Sequence, residues 1–153
     1  MGDCIGLPPL RELARGMKYP SQMDCVWLAA DADGRLAAFV TAGEGPIPEA
    51  LLTSSINIEL IENLLLQLEI VGTAVNVTGV PNPNSFIELS RRGLFVYDWT
   101  DVYVSERQAS GAYELVASPS TELLERDLPA NLLQMATKLS QANSIGRRHL
   151  RIT

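Results

Sequence analysis

The chain has 153 residues, of which 46% are hydrophobic and 20% are charged, a composition that suits a globular domain and excludes extended disorder. Its formal net charge is −6, which disfavours nucleic acid as a direct ligand because phosphate contacts need clustered lysines and arginines. The most apolar segment, residues 56–71, is interrupted by Asn, Gln and Glu side chains and is not expected to enter a membrane.

The amino-terminal half predicts a short helix, a buried hairpin and two further helices. A proline pair and a glycine delimit the first helix within residues 8–16. Two apolar runs, CVWLAA and RLAAFVTA, flank residues 31–34, and the Asp-Gly step there predicts a hairpin whose strands are covered on both faces. A proline opens a helix over residues 48–53, and an apolar helical repeat predicts a second helix over residues 55–70.

The carboxyl-terminal half predicts strands that alternate with helices. A short strand is expected in residues 73–80, and the capping-box spacing of Ser85 and Glu88 predicts a helix that Gly93 ends. LFVYDW is expected to be a buried strand, DVYVSE and AYELVAS a second hairpin, and residues 128–141 an amphipathic helix. The order predicts an α+β fold, with a largely antiparallel sheet built from two hairpins and helices packed on it.

Domain organisation and compartment follow from what the chain lacks. No internal repeat or linker divides it, so residues 1–153 are expected to form one domain, in which residues 144–153 either fray or close as an edge strand. Its two cysteines form no CxxC motif, and the first residues lack the uninterrupted apolar stretch of a secretory signal. Both features predict a cytoplasmic protein.

Metal and cofactor sites are not expected. Asp31 and Asp33 resemble the start of a calcium loop, but position twelve of that loop is Ala42 instead of a bidentate Glu. One histidine and two cysteines are too few for a zinc site. The segment Gly-Glu-Gly-Pro at residues 43–46 lacks the lysine of a phosphate loop, and its proline removes a backbone donor.

A nucleophilic enzyme is not expected either. A Cys–His pair would have to join Cys4 or Cys25 to His149, the only histidine. Cys25 lies on a predicted core strand, which favours a buried and inert thiol. The chain also lacks the GxSxG motif of serine hydrolases.

Paired carboxylates are the remaining enzymatic option. Asp98 and Asp101 flank a Trp-Thr pair, and together with Glu106 they could line an acidic cleft. Solvated loop acids are the more common explanation of such residues. We therefore expect a protein that is not an enzyme.

Charge is distributed unevenly along the chain. Residues 19–90 contain nine acidic residues against one basic residue, Arg35, which is a net charge of −8. The last seven residues, RRHLRIT, contain three arginines and no acid. An acidic surface suits a basic protein partner because complementary fields speed and orient association, although net negative charge also serves solubility.

Three segments of the sequence resemble those of a known group of proteins. WLAADADGRLAAFVTAGEGPIP, FIELSRRGLFVYDWTDVY and YELVASPS occur in this order between about residues 24 and 120. In this the chain resembles small bacterial immunity proteins, which are encoded beside toxins of secretion systems such as type VI secretion or of polymorphic toxin loci. The resemblance implies a partner, a cognate toxin or effector with a basic active-site cleft. The charge and motif arguments above predict no cofactor and no contact with nucleic acid or membrane.

The expected contact surface consists of acids near loop ends and one aromatic anchor, since interface hot spots favour Trp and Tyr. The candidates are Asp31, Asp33, Glu44, Asp98, Trp99, Asp101 and Glu106. Two alternatives come from other classes: a chaperone or adaptor for a secreted effector, with an exposed apolar groove, and a small carboxylate-dependent enzyme. A homodimer is compatible with all three.

Overall fold

The computed structural model describes residues 24–99 and 112–152. The predicted helix over residues 8–16 and the predicted strand DVYVSE lie outside them. The strands are β1 (Val26–Ala30), β2 (Leu36–Val40), β3 (Ala74–Asn76), β4 (Phe95–Asp98), β5 (Tyr113–Pro119), β6 (Thr137–Lys138) and β7 (His149–Leu150). The helices are α1 (Glu49–Leu52), α2 (Ile61–Leu65), α3 (Asn84–Ser90) and α4 (Ala130–Met135), with 3₁₀ turns at Ile58–Leu60 and Glu125–Asp127.

All seven strands belong to one mixed sheet, in the order β3-β5-β4-β2-β1-β6, with β7 also paired to β5. Four pairings are antiparallel, and two are parallel, β2 with β4 and β1 with β6. The fold is therefore α+β with a mostly antiparallel sheet, as the sequence predicts. Of the second predicted hairpin, the described residues contain only the AYELVAS strand, β5.

The first hairpin is confirmed. β1 and β2 pair from Val26–Val40 to Ala30–Leu36, and every residue of both strands is buried. Gly34 has a positive φ of 84° in the connecting turn, a conformation that glycine adopts without a steric cost. Both strands lie in the interior of the sheet, which explains why their apolar residues are continuous instead of alternating.

The two faces of the sheet are covered differently. On one face, the Trp27 ring stacks on Phe39 at 4.2 Å between ring centroids, and Phe39 stacks on Tyr97 at 5.1 Å. On the other face, α2 packs against β1, and α3 packs against β4 and β5. The face that the helices cover also contains the candidate site, which is formed where β1 begins and where β2 and β4 end.

The second predicted helix is much shorter than residues 55–70. Its regular part is the 3₁₀ turn followed by α2, which ends at Leu65. The chain then turns so that the Val71 amide donates to the Arg91 carbonyl at 2.9 Å and the Arg92 Nε donates to Leu68. Packing against the end of α3 has overridden the helical repeat, and Ile70 is left 47% exposed.

The predicted helix over residues 128–141 is also too long. α4 ends at Met135, and Ala136 is already extended, with φ −79° and ψ 132°. Thr137 and Lys138 pair with β1 as β6, and the Leu139 amide donates to the Ala30 carbonyl at 2.9 Å. The buried outer edge of β1 needs backbone partners, and β6 supplies them at the expense of the helix.

The capping box predicted at the start of α3 is not formed. Pro83 precedes the helix without a side-chain cap, and Glu88 instead forms ion pairs with Arg91 at 3.0 Å and Arg92 at 3.3 Å. Hydrogen bonds from Arg92 and Arg91 lower the pKa of the Glu88 carboxyl. The predicted end of the helix is confirmed, because Gly93 follows it with a φ of 97°.

The carboxyl-terminal segment packs against the sheet. Ile145, Leu150 and Ile152 are buried, and β7 pairs with the first residues of β5 as an edge strand. Of the two alternatives predicted for residues 144–153, the described residues 144–152 show an edge strand, at His149–Leu150. No helix among the described residues is long and apolar enough to cross a lipid bilayer.

Candidate functional site: an acidic cleft

Asp31 does not belong to a contact surface. It is 1% exposed, and its carboxylate accepts backbone amide hydrogen bonds from Asp33 at 2.9 Å, Arg35 at 3.0 Å and Ile145 at 2.9 Å. It therefore ties the hairpin turn to the carboxyl-terminal segment. The expectation that it contacts a partner is corrected, because its side chain is used inside the fold.

Asp33 and Glu44 are exposed but lie far apart. Asp33 is in the turn that joins β1 to β2, whereas Glu44 follows the opposite end of β2. Five residues of extended strand separate these ends by about 17 Å. The two acids therefore cannot form one small site. Asp101 and Glu106 lie outside the described residues.

Trp99 and the Gly-Glu-Gly-Pro loop meet at the aromatic face. The Trp99 ring lies 5.2 Å from Tyr113, and the Tyr113 hydroxyl donates to the Pro46 carbonyl at 2.9 Å. Gly45 fits against Tyr113 and Trp99, since a Cβ there would lie 2.5 Å from the Tyr113 hydroxyl and 2.7 Å from the Trp99 Cβ. The loop is thus a packed connection, and Trp99 is partly buried in it.

The structure contains a different cluster of acids, which we call the acidic cleft and define by Asp24, Glu59, Glu62 and Asp98. Two hollows of about 270 and 260 Å³ share Asp24, Val26 and Glu62 in their walls. Asp98 lines the first hollow, and Glu59 lines the second. No basic side chain among the described residues lines either hollow.

The topology explains why these acids converge. β2 and β4 are parallel neighbours, and their carboxyl ends, at Val40 and Asp98, lie side by side. Asp24 precedes β1, which runs antiparallel to β2 and begins at this end, and its carboxylate accepts the Ala42 amide at 3.0 Å. Crevices at the carboxyl ends of parallel strands are frequent ligand sites in α/β sheets.

The helices close the cleft from the other side. Glu62 lies on α2, and Ser85, Phe86 and Leu89 of α3 line the first hollow with Val26 and Val40. The first hollow is therefore lined by apolar side chains and carboxylates together.

Electrostatics in the cleft reflect the crowding of negative charge. Burial, and secondly the nearby Asp24, raise the pKa of the Glu62 carboxyl. Burial likewise raises the pKa of the Cys25 thiol, and Glu59, Asp24 and Glu62 add to the shift. A protonated thiol is a poor nucleophile, so the cleft is unsuited to cysteine chemistry. The carboxylates that line the cleft make it suited to holding a positive charge.

Sequence reasoning missed three of the four acids. The apolar repeat places Glu59 and Glu62 on the solvent side of an amphipathic helix, and Asp24 falls at the end of a connector. The signal that the sequence lacks is long-range packing, which places α2 against β1 and brings Asp98 to the same end of the sheet through the pairing of β2 with β4. Local sequence patterns do not reveal which distant strands pair in the sheet.

Neither a metal site nor a known relative points to a function. Among the described residues, no group of three or more His, Cys, Asp or Glu side chains has the geometry to hold a metal ion. No protein-family model, curated protein or solved structure matches this chain.

Proposed function

We propose that this chain is a bacterial immunity protein that binds and neutralises a cognate toxin acting in the cytoplasm. The observation that carries the proposal is the acidic cleft, in which four carboxylates surround two partly apolar hollows. Clefts that bind phosphate-bearing substrates are basic, and a carboxylate-rich surface complements them. The resemblance to immunity proteins and the uneven charge distribution support the same interpretation.

The acidic cleft replaces part of the surface expected from the sequence. Asp98 is retained only as a buried wall of the cleft, since it is 7% exposed, and Asp24, Glu59 and Glu62 are added to the cleft. The exposed acids Asp33 and Glu44 would contact only a partner large enough to reach both ends of the hairpin.

The test is binding to the product of the neighbouring toxin gene, followed by rescue of cells on co-expression. The Glu59→Lys/Glu62→Lys variant is expected to bind at least about tenfold more weakly, because reversed charges meet a basic cleft. Glu49→Lys/Glu69→Lys is the matched control, since both residues are exposed and lie outside the walls of the cleft. Equal losses in both variants, or no binding by the native chain, would contradict the proposal.

A chaperone or adaptor is the second candidate, and exposed apolar side chains favour it. Leu66, Ile70 and Val71, which follow α2, are 36%, 47% and 40% exposed, and Val75 on β3 is 61% exposed. A salt series separates the two functions. Affinity that falls steeply with salt indicates the acidic cleft, and affinity that does not change indicates apolar contacts.

The enzyme alternative requires a titrating carboxylate pair. Asp98 is the one described member of the predicted set, and it shares the first hollow with Glu62, whose pKa is raised. Activity of the isolated protein that is lost in Asp98→Asn and in Glu62→Gln would support this alternative over binding.

A further inference from the structure

The chain carries a basic surface as well as the acidic cleft. We call it the basic edge and define it by Arg147, Arg148, His149 and Arg151, all of which are exposed. The side chains of Arg148 and His149 are 60% and 49% exposed. No acidic residue follows Asp127 in the sequence, so the side chains of this segment contribute no negative charge.

Among the described residues, Glu114 is the acid whose ion pairs reach the basic edge. The Glu114 Oε2 lies 3.8 Å from the Arg148 Nε and 3.8 Å from the His149 Nε2, a distance at the outer limit of an ion pair. Arg147 and Arg151 accept hydrogen bonds from Tyr97 and Asn143 through their backbone carbonyls, which leaves the charge of their side chains in place. Among the described strands, β7 pairs only with β5.

We infer that the basic edge of one copy docks at the acidic cleft of a second copy. The two surfaces have opposite charge, because Asp24, Glu59 and Glu62 line the hollows of one and three arginines are exposed on the other. Each copy carries both surfaces, so two copies related by a twofold axis make two identical contacts and form a closed dimer. Such a dimer extends beyond the proposed function, because it requires no toxin.

Ionic strength decides whether this attraction can outweigh the repulsion between two chains of net charge −6. At physiological salt, charges more than about 8 Å apart are largely screened, whereas pairs in contact are screened much less. The contact pairs therefore dominate near physiological salt. In the proposed function, the dimer would keep the acidic cleft occupied until a more basic toxin displaces the second copy.

Sedimentation velocity of the full chain over a concentration series is the first measurement. We expect a reversible dimer for the native chain. Arg147→Glu/Arg151→Glu is expected to weaken the dimer at least about tenfold, because repulsion replaces attraction at the cleft. Arg126→Glu is the control, since this exposed residue lies on the second 3₁₀ turn, outside the basic edge.

Mixing reversed variants makes the test specific. Arg147→Glu/Arg151→Glu has an acidic edge and an acidic cleft, whereas Glu59→Lys/Glu62→Lys keeps its basic edge and gains two lysines in its cleft. Each variant alone is expected to be monomeric in sedimentation velocity and folded as measured by circular dichroism. An equimolar mixture of the two variants is expected to form a heterodimer. The inference is overturned if the native chain stays monomeric up to about 1 mM. It is also overturned if the variants dimerise like the native chain or if the mixture does not associate. Toxin binding measured in parallel shows separately whether the proposed function stands.

Discussion

Asp31 stabilises the fold through three backbone amides at once, those of Asp33, Arg35 and Ile145. Replacing it with alanine leaves these donors without their acceptor, and the Ile145 amide is buried, where an unsatisfied donor is costly. We expect Asp31→Ala to lower the free energy of unfolding by about 3 kcal/mol. Urea denaturation followed by tryptophan fluorescence measures the loss.

Asp33→Ala is the matched control for Asp31, because Asp33 lies in the same turn but is exposed. Its expected effect is below about 0.5 kcal/mol, as for surface substitutions generally. Equal effects of the two substitutions would contradict the structural role of Asp31. The sequence identified Asp31 as important but for the wrong reason, since only the long-range contact with Ile145 reveals its burial.

Glu62 makes stability depend on pH. Burial and Asp24 raise its pKa above the ordinary value of 4.5, so the folded state binds this proton more tightly than the unfolded state does. By linkage, the ionisation of Glu62 disfavours folding. Its cost appears as the pH rises from the unfolded to the folded pKa and is fully present above the folded pKa.

Glu62→Gln removes this cost. At pH 7 the variant is expected to be more stable than the native chain by about a few tenths of a kcal/mol, because Glu62 is partly exposed and solvent screens its charge. Below about pH 4.5 the difference should vanish, since both side chains are then neutral. Thermal unfolding across this pH range measures it, with Glu69→Gln, which is exposed and outside the cleft, as the control. A constant difference at every pH would indicate a packing effect instead.

At the scale of elements, the connections at the two ends of β2 depend on glycine for different reasons. Gly34 has a positive φ of 84°, and no atom lies within 4 Å of the place that a Cβ would take. A Cβ on Gly45, by contrast, would lie 2.5 Å from the Tyr113 hydroxyl and 2.7 Å from the Trp99 Cβ. Gly34→Ala is expected to cost about 1 kcal/mol through its backbone conformation. Gly45→Ala is expected to cost about 3 kcal/mol through overpacking.

Asparagine substitutions distinguish the two causes. Asn tolerates a left-handed backbone, so Gly34→Asn should recover most of the stability that Gly34→Ala loses. Gly45→Asn should be worse than Gly45→Ala, because a larger side chain enters the same contact. Recovery at Gly45, measured by chemical denaturation, would refute the steric explanation.

Elements with a strong local pattern were predictable from the sequence. The continuous apolar runs around the Asp-Gly turn predicted β1 and β2, and Gly93 predicted the end of α3. The predictions of long helices were wrong where backbone groups elsewhere needed hydrogen-bond partners. At the outer edge of β1, residues that were predicted as helix pair with β1 as β6. The acidic cleft was missed for a related reason, because parallel pairing of β2 with β4 brings together residues that are distant in sequence.

At the scale of the whole molecule, charge is segregated. Ten acidic residues and three basic residues occur in residues 24–99, whereas residues 128–152 contain one lysine, three arginines and no acid. Folding gathers four acids of the first group around the acidic cleft and exposes three arginines of the second group on the basic edge. The native state therefore contains a local repulsion that the more extended unfolded chain relieves.

Salt should consequently stabilise the monomer. Raising NaCl from about 0.01 to about 0.5 M shortens the Debye length from about 30 Å to less than about 8 Å and screens the repulsion within the cleft. The opposing loss of exposed ion pairs, such as Lys138 with Glu125, is small because such pairs contribute little. We expect the melting temperature, measured at a concentration where the chain is monomeric, to rise with salt. The rise should be smaller in Glu59→Gln/Glu62→Gln, whose cleft carries two fewer charges. A melting temperature that falls with salt in both proteins would show that attractive pairs dominate the electrostatics of the fold, and the cleft would then not be a site of stored repulsion.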